Sequence, residues 1–311
     1  MSNLFARFPS KTGYILQGIY ISLKANGNSS YRDAVNLACM TIRHHKNYKI
    51  PLTQYTICII TDNMTEIVKH LKLLYHMYEL TLTDVSHIRI QHVKNKCDFI
   101  NYLTDNLRRI TAHNDYHSVL LSISAHGYTK RASGIYINME TNHKSEYLKL
   151  GQEIIYDHEL TEILYKNLNS TIECACLIDT CHSGTMLNLD YISSDGIIYK
   201  RTKMRSTTGT GNIKHIDKKD TIDNKSISIP KIMAISSCND NEMTGEDIGT
   251  YAGWGGKLIT HFIDYVLSNT GTHLYQINLG HFFIKISTIF KNQKYQQTRP
   301  MISFTPPSIL I

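Results

Sequence analysis

The chain has 311 residues, a length that fits one large α/β domain or two small ones, and its 42% hydrophobic content suffices for a sizeable core. A net charge of +7 would suit an anionic partner, but the Lys and Arg are scattered and form no arm that could track phosphates, so nucleic acid is not an expected partner. Seven cysteines lack framework spacing, the first residues hold no long apolar stretch, and no window approaches eighteen consecutive apolar residues; the reading is a cytoplasmic, reducing setting with no membrane partner.

Short apolar runs alternate with helical patterns, which signals an α/β fold around a mainly parallel sheet flanked by helices. The spacing predicts a strand over 14–21, a polar loop over 24–30 and a helix over 31–45. A second strand over 56–60 closes in Thr61-Asp62-Asn63, and the next helix, 64–78, repeats Ile67, Leu71 and Leu74 at helical spacing. A short strand falls within 86–93, followed by a helix over 97–110 with Ile100, Leu103 and Leu107 on one face. The apolar run 118–123 reads as a buried strand ending at Ser124, with a small β excursion at 135–138. A helix over 157–167 leads into a second buried strand, 172–178. Residues 200–228 are poor in large apolar side chains and rich in Thr, Lys, Asp and Gly, the composition of a linker. A strand over 231–236, helices over 255–268 and 281–290, and an extended segment over 301–304 follow. One domain is expected, with a large segment 12–199, the linker 200–228 and a small segment 229–311.

Two of these strands carry reactive side chains beyond their ends. Ser124-Ala125-His126-Gly127 follows the first, and Asp179-Thr180-Cys181-His182-Ser183-Gly184 follows the second. Ligands of open α/β sheets sit beyond the carboxyl ends of the strands, so the two motifs are expected to share a crevice. A thiolate attacks where a thiol does not, and Cys181 therefore needs a base. His126 is the better candidate, because the side chain of His182 diverges from that of its neighbour on a turn. Gly127 allows a turn and a close approach of backbone to substrate, and the N–H groups of Gly127 and Cys181 are candidate oxyanion donors. Cys58, Cys174 and Cys176 fit small buried hydrophobes in apolar strands. Cys174, Cys176, Cys181 and His182 lack the paired spacing of a zinc site.

The order His-Gly, then Asp-x-Cys-His-Ser-Gly, resembles the metacaspases, a branch of the caspase-like cysteine peptidases. His126 and Cys181 stand 55 residues apart, near the caspase separation of about 50. The runs 181–191, 234–247 and 294–301 are similar to segments of that family, as are Tyr31 to Val35 and Thr61-Asp62. The resemblance spans about residues 12 to 305, is most specific around Cys181 and suits the type I branch. It implies a caspase-like three-layer sandwich and a cysteine endopeptidase, with Cys181 as nucleophile and His126 as general base and then acid.

The resemblance also implies a substrate. Caspases place Gln-Ala before the cysteine and read an acidic side chain; here Asp179-Thr180 precedes it. In metacaspases that Asp, with one like Asp33, forms an acidic pocket for Arg or Lys, a bidentate fit for guanidinium that repels acidic substrates. The partners implied are therefore proteins or peptides with Arg or Lys at the cleavage site. Many metacaspases also carry calcium-binding acidic segments. In this chain the stretch 128–140 holds one carboxylate, Glu140, and the next helix opens Asp157-His158-Glu159. Calcium takes six to eight oxygens, so Asp157, Glu159 and Glu140 are weak metal candidates and no cofactor is expected to be required. The linker contains Arg201, Lys203, Arg205, Lys214, Lys218 and Lys219, which an Arg/Lys-directed peptidase would cut in its own chain. A monomer is expected if the last strand, the one through which caspases pair, is covered. The alternative is a caspase-like protein kept for binding or regulation without catalysis; the joint presence of Cys181, His126 and Asp179 favours the enzyme.

Overall fold

Strands buried on both faces read as continuous apolar runs, whereas strands with one wet face alternate. The computed structural model describes residues 15–24, 29–112, 117–131, 144–189, 191–194, 197–200, 230–239, 241–268, 279–292 and 298–305. In chain order these form β1 (Ile15–Ser22), α1 (Ser29–Asn47), β2 (Ile57–Thr61), α2 (Met64–Leu74), α3 (Leu82–Val85), β3 (Arg89–His92), α4 (Lys96–Thr111), β4 (His117–Ser124), β5 (Gly127–Arg131), β6 (Lys144–Leu150), β7 (Glu153–Tyr156), α5 (Asp157–Asn167), β8 (Glu173–Asp179), β9 (Tyr191–Ser194), β10 (Ile197–Lys200), β11 (Lys231–Ser236), β12 (Glu246–Gly249), β13 (Gly253–Gly256), α6 (Lys257–Ser268), α7 (Leu279–Asn292) and β14 (Met301–Phe304). Asn63 and Asn95 cap α2 and α4, each side chain accepting a backbone N–H three residues on.

The central sheet has nine strands in the order β10-β9-β14-β11-β8-β4-β1-β2-β3. The six from β11 to β3 are parallel. β14 is antiparallel to β11, β9 to β14, and β10 to β9. Alternation along each strand divides the core. Leu16, Tyr20, Leu120 and Leu177 pack with α1, α2, α6 and α7 on one face. Ile19, Ile21, Val119, Leu121, Cys174 and Cys176 pack with α4 and α5 on the other. The chain is thus a three-layer α/β sandwich with a mainly parallel central sheet flanked by helices, consistent with the caspase-like sandwich expected above.

The order turns at β1, from which β2 and β3 extend one way and β4, β8 and β11 the other, so the switch point opens a crevice at the carboxyl ends of β1 and β4. Both reactive motifs emerge on that side. The last strand, β14, is not an edge: β9 covers it, with Ile302 opposite Ser193. Lys200 ends β10 rather than opening a linker; residues 201–229 and the expected excursion at 135–138 lie outside the described residues. The helix expected from 255 begins at Lys257, because Gly255 and Gly256 pair with Asp247 and Glu246 in a hairpin. No helix among the described residues is long and apolar enough to cross a membrane.

His45 shows what burial in this core does to a titrating side chain. Its Nδ1 lies 2.7 Å from the Thr41 carbonyl, its ring stacks on Tyr55, and burial pushes its pKa down to about 4. The folded pKa lies below the unfolded value of about 6.5. The neutral ring therefore favours the fold above that pH, and the contribution is lost as pH falls toward 4. In His45→Phe, the fall in urea-unfolding free energy between pH 7 and pH 5 should shrink by about 1–2 kcal/mol.

Candidate active site

Because β4 and β8 are adjacent and parallel, with Ser124 opposite Asp179, the residues that follow them leave the sheet side by side. The pairing runs on past the strand ends: the Ala125 N–H donates to the Asp179 carbonyl at 3.5 Å, and the Leu23 N–H to the Ser124 carbonyl at 3.2 Å. Two residues further, Gly127 lies against the backbone of Cys181. A Cβ on Gly127 would overlap the Cys181 carbonyl oxygen and fall 3.0 Å from Thr180 Oγ1. This corrects the reading of Gly127 as a turn residue. It opens β5, pairs with Leu148, and is not in the left-handed region; glycine is needed there because backbone meets backbone. Ala125 is likewise outside that region, so alanine fits before the histidine. His126, between Ala125 and Gly127, is thereby carried to the Cys181 segment, and the two candidate oxyanion donors, Gly127 and Cys181, adjoin.

Cys181 is half-buried, and its thiol donates weakly to the Thr244 carbonyl at 3.6 Å. Burial raises the thiol pKa, and the Asp179 carboxylate pushes the same way. A group with these neighbours stays a thiol until a base takes its proton. His182 has a left-handed backbone, φ 55°, and its N–H donates to the Glu242 carbonyl at 3.0 Å. The loop behind the cysteine is tied to two elements, β6 and α5, by three hydrogen bonds. Thr185 donates to buried Glu146 of β6 at 3.0 Å, Thr161 of α5 to the Leu187 carbonyl at 2.7 Å, and Asn188 to Asp157 at 2.8 Å.

Asp33 and Asp179 are brought together although they lie far apart in sequence. Asp33, 1% exposed on α1, accepts from Ser124 Oγ at 2.7 Å and from the Gly256 N–H at 3.1 and 3.2 Å. Asp179, 4% exposed at the end of β8, accepts from the Ile259 N–H at 3.0 Å and Thr244 Oγ1 at 3.4 Å. Both carboxylates face Gly256, where a Cβ would lie 2.6 Å from Asp179 Oδ2 and 2.8 Å from Asp33 Oδ2. Burial, reinforced by the Asp179 charge, raises the Asp33 pKa to about 8. Burial raises Asp179 to about 6 against the pull of its hydrogen bonds, the Ile259 amide first. Among the described residues neither carboxylate is in a salt bridge, although the buried ammonium of Lys257 interacts electrostatically with Asp179. Ser124, Thr244, Gly256 and Ile259 complete this arrangement and were not singled out from the sequence; the pair Gly255-Gly256 before an apolar helix was the available signal.

The metal candidates are not assembled. Asp157 is buried and accepts from Asn188 and from the N–H and ring of His158. Glu159 reaches back to the Tyr156 N–H and pairs with Lys96 Nζ at 2.6 Å. Glu140 lies outside the described residues. No group of three or more His, Cys, Asp or Glu among the described residues could hold a metal ion. Asp157 and Glu159 thus serve a helix start and the loop behind Cys181.

Fold and site together define a three-layer α/β protein with a strand-end cysteine beside a strand-end His-Gly and a buried pair of carboxylates. No protein-family model matches the chain, and no curated protein matches it. Among solved structures, the crystal structure of protein GSU0716 from Geobacter sulfurreducens is similar, at 15% identity over 94% of each chain with a TM-score of 0.48.

Two outcomes test the packing. Gly127→Ala forces backbone apart and should lower the unfolding free energy by about 1–3 kcal/mol in urea titrations. The Asp33 pKa is above its unfolded value, so its contribution to stability is full below about pH 4 and lost as pH rises through about 8. Thermal scans of Asp33→Asn should show a smaller fall in Tm from pH 4 to pH 8 than the parent.

Proposed function

We propose that the chain is a cysteine endopeptidase that cleaves after Arg or Lys, of the kind that the resemblance to type I metacaspases implies. The observation that carries this reading is the carboxylate pair. Two acids buried around Gly256, with the buried Lys257 acting on Asp179 but in no salt bridge with it, make a site that a guanidinium or ammonium would complete. Bound there, the cation offsets the burial and the repulsion that hold Asp33 partly protonated, and an acidic side chain would add a third negative charge.

His126 takes the proton from Cys181 Sγ, and the thiolate adds to the carbonyl carbon after the Arg or Lys. The oxyanion accepts from the N–H groups of Gly127 and Cys181. The intermediate collapses to a thioester as His126 protonates the leaving amine; water, deprotonated by His126, then hydrolyses the thioester and restores the thiol. No metal enters these steps. Residues 201–229 contain the basic positions at which the enzyme would cut its own chain. The cover that β9 provides over β14 supports action as a monomer.

One observation favours the competing reading, a caspase-like protein kept for binding. Burial and Asp179 both raise the Cys181 thiol, the opposite of a primed nucleophile.

The test uses peptides with Arg, Lys, citrulline or Asp before a fluorogenic leaving group, from pH 5 to 9, with and without calcium, on the parent and on Cys181→Ala. We expect Arg and Lys cleavage at least about 10²-fold above Asp, lost in Cys181→Ala. The Arg-over-citrulline ratio of kcat/KM should rise between about pH 6 and 8, as the pair ionises; Cys181 and His126 act on both peptides and cancel in this ratio. Self-cleavage fragments should be absent from Cys181→Ala. Cleavage after Asp overturns the acidic pocket, and no turnover of any peptide favours the binding protein.

A further inference from the structure

Large apolar side chains left exposed on a rigid support mark a place where something binds. Of the ten such residues among the described ones, four fall within a twelve-residue stretch: Met243, Ile248, Tyr251 and Trp254. Their scaffold is the β12–β13 hairpin, in which Ile248 stands opposite Trp254 and Glu246 opposite Gly256. A two-residue repeat puts Ile248 and Trp254, with Glu246 and Gly256, on one face and Asp247, Gly249, Gly253 and Gly255 on the other; Met243 precedes the hairpin and Tyr251 lies in its turn. The second face is the inner one. A Cβ on Gly249 would meet Thr260 and Asp264 of α6, and one on Gly253 would meet Arg32 of α1. Asp264 also accepts the N–H groups of Thr250 and Tyr251 at 2.6 and 2.9 Å, pinning the turn.

The outer face leads directly to the carboxylate pair. Gly256, at its inner end, is the residue against which Asp33 and Asp179 lie. Trp254, one strand repeat away, has its indole fixed by Glu246, which accepts from Trp254 Nε1 and from Ser29 Oγ, both at 2.5 Å. Glu246 is thereby engaged by donors of the protein itself. What the face offers is the ring of Trp254, 48% exposed, and the side chain of Ile248, 67% exposed.

We infer that the outer face of the β12–β13 hairpin is a second substrate subsite, taking an aromatic or branched apolar side chain two residues before the Arg or Lys. The inference rests on the peptidase reading above. In an extended peptide, side chains two residues apart point the same way about 6.8 Å apart, the spacing that separates Gly256 from Trp254 along β13. A substrate whose cation reaches the carboxylates therefore carries that second side chain over Trp254 and Ile248. The hairpin is held before the substrate arrives, so little ordering is needed on binding.

The test is kcat/KM for peptides that keep Arg at the cleavage position and carry Phe, Leu, Gly or Asp two residues earlier, on the parent, Trp254→Ala and Ile248→Ser. The parent should prefer Phe and Leu over Gly by about tenfold or more, and each variant should reduce that preference to about threefold or less while keeping the parent's Arg-over-citrulline ratio. Arg cleavage with no preference at the earlier position overturns the subsite and leaves the peptidase standing, as does a preference that survives in both variants. No cleavage of any Arg or Lys peptide overturns both. A parent dimer in sedimentation that Trp254→Ala converts to monomer assigns the face to a second copy and overturns the subsite. Urea midpoints near the parent's in at least one variant keep the comparison valid.

Discussion

The candidate site depends on one backbone arrangement: β4 and β8 run parallel and adjacent, and the segments that leave them stay in contact as far as Gly127 and Cys181. The hydrogen-bonded register of two central strands brings the His126 segment to the Cys181 segment, and that register is fixed because a one-residue slip would exchange the two core faces. A side chain on Gly127 would separate the two segments whatever else was kept. The loop ties from Thr161, Asn188 and Thr185 then hold the cysteine segment from behind.

The carboxylate pair works against the fold that holds it. Burial raises the affinity of both acids for protons and the Asp179 charge adds to it at Asp33, and amide donors from Gly256 and Ile259 offset only part of that. Strain of this kind gathers at sites with a task, because packing alone would be served as well by neutral side chains of the same shape. The same glycine links the pair to the hairpin, so the proposed recognition of charge and the proposed apolar subsite share one piece of backbone.

Much of this was legible in the sequence. Runs such as 172–178 and 231–236 are buried on both faces and hence mostly apolar, with Glu173 and Lys231 paired at their start, and the helix over 157–167 was readable to the residue. The positions of His126, Cys181 and Asp179 at strand ends followed from those runs. The small antiparallel strands did not. β6 reads Lys-Ser-Glu-Tyr-Leu-Lys-Leu and β13 reads Gly-Trp-Gly-Gly, and neither carries enough apolar periodicity to stand out. Asp33 was found through the resemblance alone, since a carboxylate early in a helix is most often solvated. Its partners, Ser124 and Gly256, stand 91 and 223 residues away, beyond the reach of any local pattern. Asp157 and Glu159 looked like remnants of a metal site; their actual work is ordinary hydrogen bonding at a helix start.

Those long separations also set an order of events when the chain is made. Synthesis proceeds from the N-terminus, so β4 and β8 emerge with His126 and Cys181 well before Gly256 and Ile259 exist. Until the hairpin and α6 follow, Asp33 and Asp179 lack the amides that hold them, and the platform beside them is missing. Domains fold as units, and contacts this distant form late. The proposed nucleophile and base are thus translated early, whereas the proposed recognition pocket is completed from the last part of the chain. On the peptidase reading proposed above, a ribosome-bound fragment carries the cutting groups without the means to choose where to cut.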